Sequence, residues 1–128
     1  MSSIAFTAPP LGLEPLVDFE LHQVEGATGL FSLQSCQDAG VRLFLLDPGI
    51  YFPGYNPRID ENHLAQLGGP RGDLRILVVA NPGPDGTTAN LLAPVLVDGA
   101  SGVGAQVVLD GSSWPICATL GEDHGQSC

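Results

Sequence analysis

The sequence predicts an all-β fold, a small antiparallel β-barrel-like domain with one short helix. Glycine and proline are abundant, 17 and 11 of 128 residues, which leaves few uninterrupted stretches for long helices. Apolar and polar residues alternate over Val17 to His22, the pattern of a strand with one buried face. Short apolar runs then recur down the chain, each ended by a turn-forming cluster, the spacing expected of barrels and sandwiches. Hydrophobic residues at 44% are enough for the core of one domain, because a chain of this size buries roughly two-thirds of its unfolded surface.

The elements follow in order. In the first clear strand Val17, Phe19 and Leu21 share one face while Asp18, Glu20 and His22 share the other. The turn Gly26-Ala27-Thr28-Gly29 leads to a strand from Leu30 to Ser35, and Gln37-Asp38-Ala39-Gly40 leads to one from Val41 to Asp47. The near-continuous apolar run of the latter predicts burial on both faces. Asp47-Pro48-Gly49 is a turn, after which Ile50-Tyr51-Phe52 reads as a short aromatic strand closed by Pro53-Gly54.

The one helix is predicted after Asp60, which can cap it. Glu61 suits the first turn, Leu64 and Leu67 share a face, and Gly68-Gly69-Pro70 ends it after about two turns. Leu74 to Ala80 has the β-branched content of a central strand. Asn81 to Gly86 reads as a loop, since its prolines and glycines continue neither helix nor strand. Thr88 to Val97 is the next strand, bent at Pro94 because proline has no N–H for a ladder. The glycine-rich loop Asp98 to Gly104 leads into a last strand from Ala105 to Leu109. These elements make one domain over residues 1–120, with an acidic, flexible tail over 121–128.

Charge narrows the partners. Four arginines and no lysine against fourteen acidic residues give a net charge of −10. Nucleic acid and anionic membranes are held chiefly by Lys and Arg, so neither is an expected partner, whereas a basic protein is. Cys36, Cys117 and Cys128 are odd in number and widely spaced, which argues against a disulfide framework or a zinc site. The N-terminus lacks the basic region of a secretion signal and the longest apolar run is Leu91 to Val97, far short of a membrane span. A cytoplasmic location is expected.

Catalytic constellations are not found. His22, His63 and His124 fall on a strand, a helix and the tail without ligand spacing. Cys36 has no local base or helix N-terminus to activate it and reads as a partly buried turn residue. Asp60-Glu61 and Glu122-Asp123 are adjacent pairs that do not face each other. The glycine-rich segment from Gly99 to Gly104 leads into a strand, where a dinucleotide loop would open a helix. Arg71-Gly72-Asp73 reads as a turn ahead of the Leu74 strand. No catalytic residue, cofactor or metal is expected.

Several stretches nevertheless recur in a recognisable order. Pro10-Leu11-Gly12-Leu13-Glu14-Pro15-Leu16 with Phe19 is followed by Phe31 to Ser35, by Asp47-Pro48, and by Tyr51-Phe52-Pro53 with Tyr55. Thr88-Ala89-Asn90-Leu91-Leu92-Ala93-Pro94-Val95 and then Gln106 to Leu109 complete the series. Over Leu11 to Leu120 this resembles the FliW family of flagellar assembly factors, with Leu11 where the family has proline and Leu13 where it has an aromatic. The resemblance implies a β-barrel-like, non-enzymatic protein that binds flagellin in the cytoplasm. When flagellin is scarce it would bind the RNA-binding translational repressor CsrA, a basic partner, and antagonise it once flagellin has been exported. A flagellin-only chaperone, or a small β-barrel ligand-binding domain, is the alternative.

Candidate contact residues are drawn from the loops. Tyr51 and Tyr55, on a loop bounded by Pro and Gly, have the character of interface anchors, and Asp47, Asp60 and Glu61 flank them as steering charges. Asn90 either anchors a partner's backbone or satisfies the chain's own at the Pro94 bend. Gln34 and Gln106 are either partner contacts or polar groups flanking a ladder. On this reading Tyr51 to Leu67 forms one side of the partner surface.

Overall fold

The computed structural model describes residues 2–68, 72–84, 86–109 and 112–119. The acidic tail, Arg71 and His124 lie outside them. Among the described residues there are eight strands and two short helices: β1 (Ser2–Phe6), β2 (Asp18–Gln23), β3 (Leu30–Ser35), β4 (Arg42–Leu46), α1 (Pro48–Tyr51), α2 (Glu61–Ala65), β5 (Leu74–Gly83), β6 (Gly86–Asp98), β7 (Val103–Gln106) and β8 (Ala118–Thr119). The ladder order β5-β4-β3-β2-β1-β7-β6 returns to β5 through the β5–β6 pairing. Seven strands therefore close a barrel, with β8 attached to the first half of β6. Closure removes the open edges that would invite aggregation. All pairings are antiparallel except that of β1 with β7.

The period-two pattern sorts the core. Odd-numbered side chains of β2 to β5, among them Phe19, Leu21, Leu33, Leu45 and Leu77, point inward with Ile4, Phe6, Val95 and Val97 to fill the barrel. Phe6 and Phe19 meet edge to face with centroids 5.4 Å apart, a favoured aromatic geometry. The even-numbered residues Leu46, Val78 and Ala80 build a second apolar layer on the outside of the barrel. That double-sided burial is why β4 reads as an almost unbroken apolar run.

Four sequence expectations need correction. Ile50-Tyr51-Phe52 is no strand: α1 covers Pro48–Tyr51, because Asp47 caps it by accepting from the Gly49 amide and Pro48 pre-sets the first turn. The described residues accordingly hold two short helices. Asn81 to Gly86 is no open loop, since β5 and β6 pair as far as Gly83↔Gly86. Pro82 is tolerated because β5 has there run past Ala80, its last partner on β4, so the missing N–H faces no strand. Cys36 is exposed. Cys117 is disulfide-bonded, and β8 beside it has too few residues to leave a periodic signal.

The bend at Pro94 is as expected, and larger than one residue. Val79 pairs with Asn90 and Leu77 with Val95, so Leu91 to Pro94 stand opposite Val78 alone as a wide bulge. The helix α2 begins at the Asp60 cap and spans Glu61–Ala65, shorter than the two turns the sequence suggests. Beyond it the chain tightens into i→i−3 bonds and reverses at Gly68, whose φ is 74°.

Candidate partner-binding surface

The segment from Tyr51 to Leu67 is a strap over the outer apolar layer of the barrel. Tyr51, Phe52 and Tyr55 pack on Leu46, Val78, Ala80, Ala89 and Leu91. Ile59 and Leu67 pack farther along on Leu96, Val107 and Leu109. Tyr51 and Tyr55 are thus half-buried, with their hydroxyls turned to the protein's own backbone: Tyr51 donates to the Thr28 carbonyl at 2.9 Å and Tyr55 to the Leu91 carbonyl at 2.6 Å. Trp114 closes over Tyr55 edge to face, 4.7 Å between centroids. Burial pushes the Tyr55 phenol up from its ordinary value, so it keeps its proton beyond the pH at which an exposed tyrosine ionises.

Tyr55 is one of several clamps on the bulge, and together they satisfy every backbone polar group in it. The Leu91 amide donates to the Pro115 carbonyl. Asn90 Oδ1 accepts from the amides of Leu92 and Ala93, both at 3.0 Å. The Leu92 and Pro94 carbonyls accept from the amides of Leu109 and Val107. The Ala93 carbonyl accepts from Gln106 Nε2 at 3.0 Å, while Gln106 Oε1 accepts from the Leu11 amide. Of the two readings of Asn90, its side chain adopts the one that serves the chain's own backbone. Gln106 ties the Pro10-Leu11-Gly12 loop to the bulge.

Around α2, Asp60 Oδ1 accepts from the His63 amide and His63 Nδ1 accepts in return from the Asp60 amide, both at 3.1 Å. This is a capping box closed by histidine in place of the usual Glu or Gln. With Nδ1 accepting, Nε2 carries the hydrogen and donates to the Val108 carbonyl at 3.2 Å. Glu61 is exposed in the first turn, where its charge favours the helix N-terminus.

Three depressions adjoin the strap. One of about 210 Å³ is almost wholly apolar, lined by Leu30, Phe44, Leu46, Tyr51, Ala80 and Pro82 with Thr87. Ile50, half exposed, stands next to it on α1. The other two, about 320 and 390 Å³, lie on either side of α2 and share Asp60 and His63 in their linings.

The site residues read from sequence are therefore only partly brought together. Tyr51 and Tyr55 pack on the outer layer, Asn90 holds the bulge whose Leu91 carbonyl Tyr55 also holds, and Asp47 caps the helix that carries Tyr51. Asp60 and Glu61 sit farther along the same strap. Gln34 lies on β3, its amide donating to the Ala39 carbonyl of the next turn. Sequence reasoning missed Trp114, which has no motif around it, and Asp98. Asp98 is buried and accepts from the amides of Gly72 and Ala100 and from Ser101 Oγ. An Asp followed by Gly, Ala, Ser and Gly is a legible turn signal of this kind. Among the described residues no three His, Cys, Asp or Glu side chains gather as metal ligands, and no helix is long and apolar enough to cross a membrane.

A closed seven-stranded barrel strapped on one outer face, with clefts along the strap, defines a small β-barrel domain. The FliW protein family model matches residues 1–120, and the chain belongs to the FliW family. It is 37% identical over 91 residues to a flagellar assembly factor FliW of Geobacillus kaustophilus, covering 68% of this chain and 62% of that protein. It thus spans under two-thirds of that relative's length. A FliW of Syntrophotalea carbinolica is 33% identical over 115 residues, 88% of this chain and 82% of that one. A crystal structure of the flagellar assembly factor FliW superposes with a TM-score of 0.84 at 29% identity, covering 92% of this chain and 84% of that one.

Proposed function

We propose that this protein is a cytoplasmic, non-enzymatic partner switch in flagellar assembly. It binds flagellin, and when flagellin is scarce it binds and antagonises the translational repressor CsrA. Membership of the FliW family over residues 1–120 is the observation that carries this reading. The chemistry of the surface supports it. A net charge of −10 favours a basic protein partner and disfavours RNA, so a bound repressor would be screened from its message.

Calorimetric titration against the flagellin and the CsrA of the same genome tests it. Binding to both is the expected result. Binding to flagellin alone reduces the role to that of a chaperone, and binding to neither refutes the proposal.

A further inference from the structure

The parallel ladder between β1 and β7 stops for a definite reason. Ala5 donates to the Gly102 carbonyl at 2.9 Å and Thr7 to the Gly104 carbonyl at 3.0 Å, so the next donor in the series, two residues on, would serve Gln106. That residue is Pro9, which has no N–H. On the other side of the strand, β6 takes the amides of Val107 and Leu109. The carbonyl and amide of Gln106 and the amide of Val108, which point away from β6, have no backbone partner among the described residues. An otherwise closed barrel therefore has a short open edge where β1 peels away.

This edge is accessible. Gln106 and Val108 line the depression of about 390 Å³, whose far wall is Asp60, Asn62, His63 and Gln66. Of the four large apolar side chains exposed among the described residues, Val108 is on the edge itself and Leu11 is fixed beside it through the bond from its amide to Gln106 Oε1. Asp60 is the acidic residue in its wall, Glu61 is next in sequence, and no arginine lines it, Arg58 lining the adjoining depression instead.

We propose that Gln106 to Val108 is a strand-addition site for an extended, cation-bearing segment of a protein partner. One residue of that segment, running parallel as β1 does, can donate its N–H to the Gln106 carbonyl and accept from the Val108 amide, the pairing used in β-augmentation. Its neighbours would meet Val108 and Leu11 on one side and the Asp60–Glu61 carboxylates on the other. The inference rests on the partner-binding reading above and says which surface is used.

Val108→Pro removes the amide donor at an edge position where proline is tolerated, and Val108→Ala keeps it. Flagellin and CsrA from the same genome serve as probes in titration calorimetry, with circular dichroism to confirm folding. For the partner that uses this edge, Val108→Pro should weaken binding about three- to tenfold, the effect of one lost hydrogen bond or two. Val108→Ala, which keeps the amide and loses only part of the apolar contact, should weaken that partner less than Val108→Pro does. Asp60→Asn with Glu61→Gln, which preserves a capping side chain, should weaken the same partner and flatten its salt dependence.

Hydrogen exchange of the unsubstituted protein gives an independent readout if Val108→Pro fails to fold: the Val108 amide should exchange fast when free and slowly in the complex. Parent-like binding of both partners by folded Val108→Pro overturns the edge proposal alone. Slow exchange of the free Val108 amide also overturns it, since the chain's own residues would then cover the edge. If the unsubstituted protein binds neither partner, the proposed function itself fails.

Discussion

The hydroxyl of Tyr55 donates to the carbonyl of Leu91 at 2.6 Å, joining the strap to the first residue of the β6 bulge. Replacing it by phenylalanine keeps the ring under Trp114 and leaves the Leu91 carbonyl without its partner. Tyr55→Phe should cost about 1–2 kcal/mol in urea unfolding. A change below a few tenths would show that water replaces the hydroxyl at no cost.

The same phenol gives a pH signature. Its proton is held more tightly in the folded than in the unfolded chain, because burial raises its pKa above the ordinary 10.0. Its contribution is complete below about pH 10 and is lost as pH rises beyond it, since the unfolded state then gives up its proton first. Unfolding free energy should therefore decline above that pH more steeply in the parent than in Tyr55→Phe. Equal slopes would remove Tyr55 from the account.

Asn90 is predicted to act on stability and not on partner choice. Its Oδ1 serves two amides of the bulge, so Asn90→Ala should cost about 1–3 kcal/mol. Asn90→Asp, which retains the acceptor, should cost less. A folded Asn90→Ala that loses a partner without losing stability would restore the anchor reading.

Gly29 marks where α1 meets the barrel. Its φ is +84°, and an added Cβ would lie 2.8 Å from Ile50 Cδ1 and 3.1 Å from Tyr51 Cε2. Gly29→Ala should cost about 1–3 kcal/mol and disturb the Tyr51 side of the apolar depression, visible as tyrosine shifts in NMR spectra.

How far the sequence could be read depended on the range of the interactions. Strands such as Asp18–Gln23 and the Asp60 cap are written in local alternation and capping chemistry, and were legible. The helical turn at Pro48–Tyr51 was misread because its aromatic content outweighed the Asp47-Pro48 capping signal. Pro82 was read as a breaker because no local rule shows that β4 ends before reaching it. At the candidate site, residue types identified the strap but not the direction of its side chains. The Asn90 bonds to Leu92 and Ala93 are local and were one of its two readings. Tyr55 read as an outward-facing anchor, yet its hydroxyl bonds to backbone that the barrel brings beside it, Leu91 lying 36 positions away. The open edge at Gln106 was invisible for the same reason: it needs Pro9 to lie next to β7, which only closure of the barrel produces.

The central claim is that one acidic barrel serves two protein partners in turn. The most direct measurement is to form its complex with CsrA, titrate in flagellin, and follow CsrA release together with recovery of RNA binding by the freed repressor. The account predicts stoichiometric displacement, with RNA binding returning as flagellin saturates the barrel. A flagellin titration that leaves CsrA bound, or CsrA that binds RNA equally well in the complex, would contradict it.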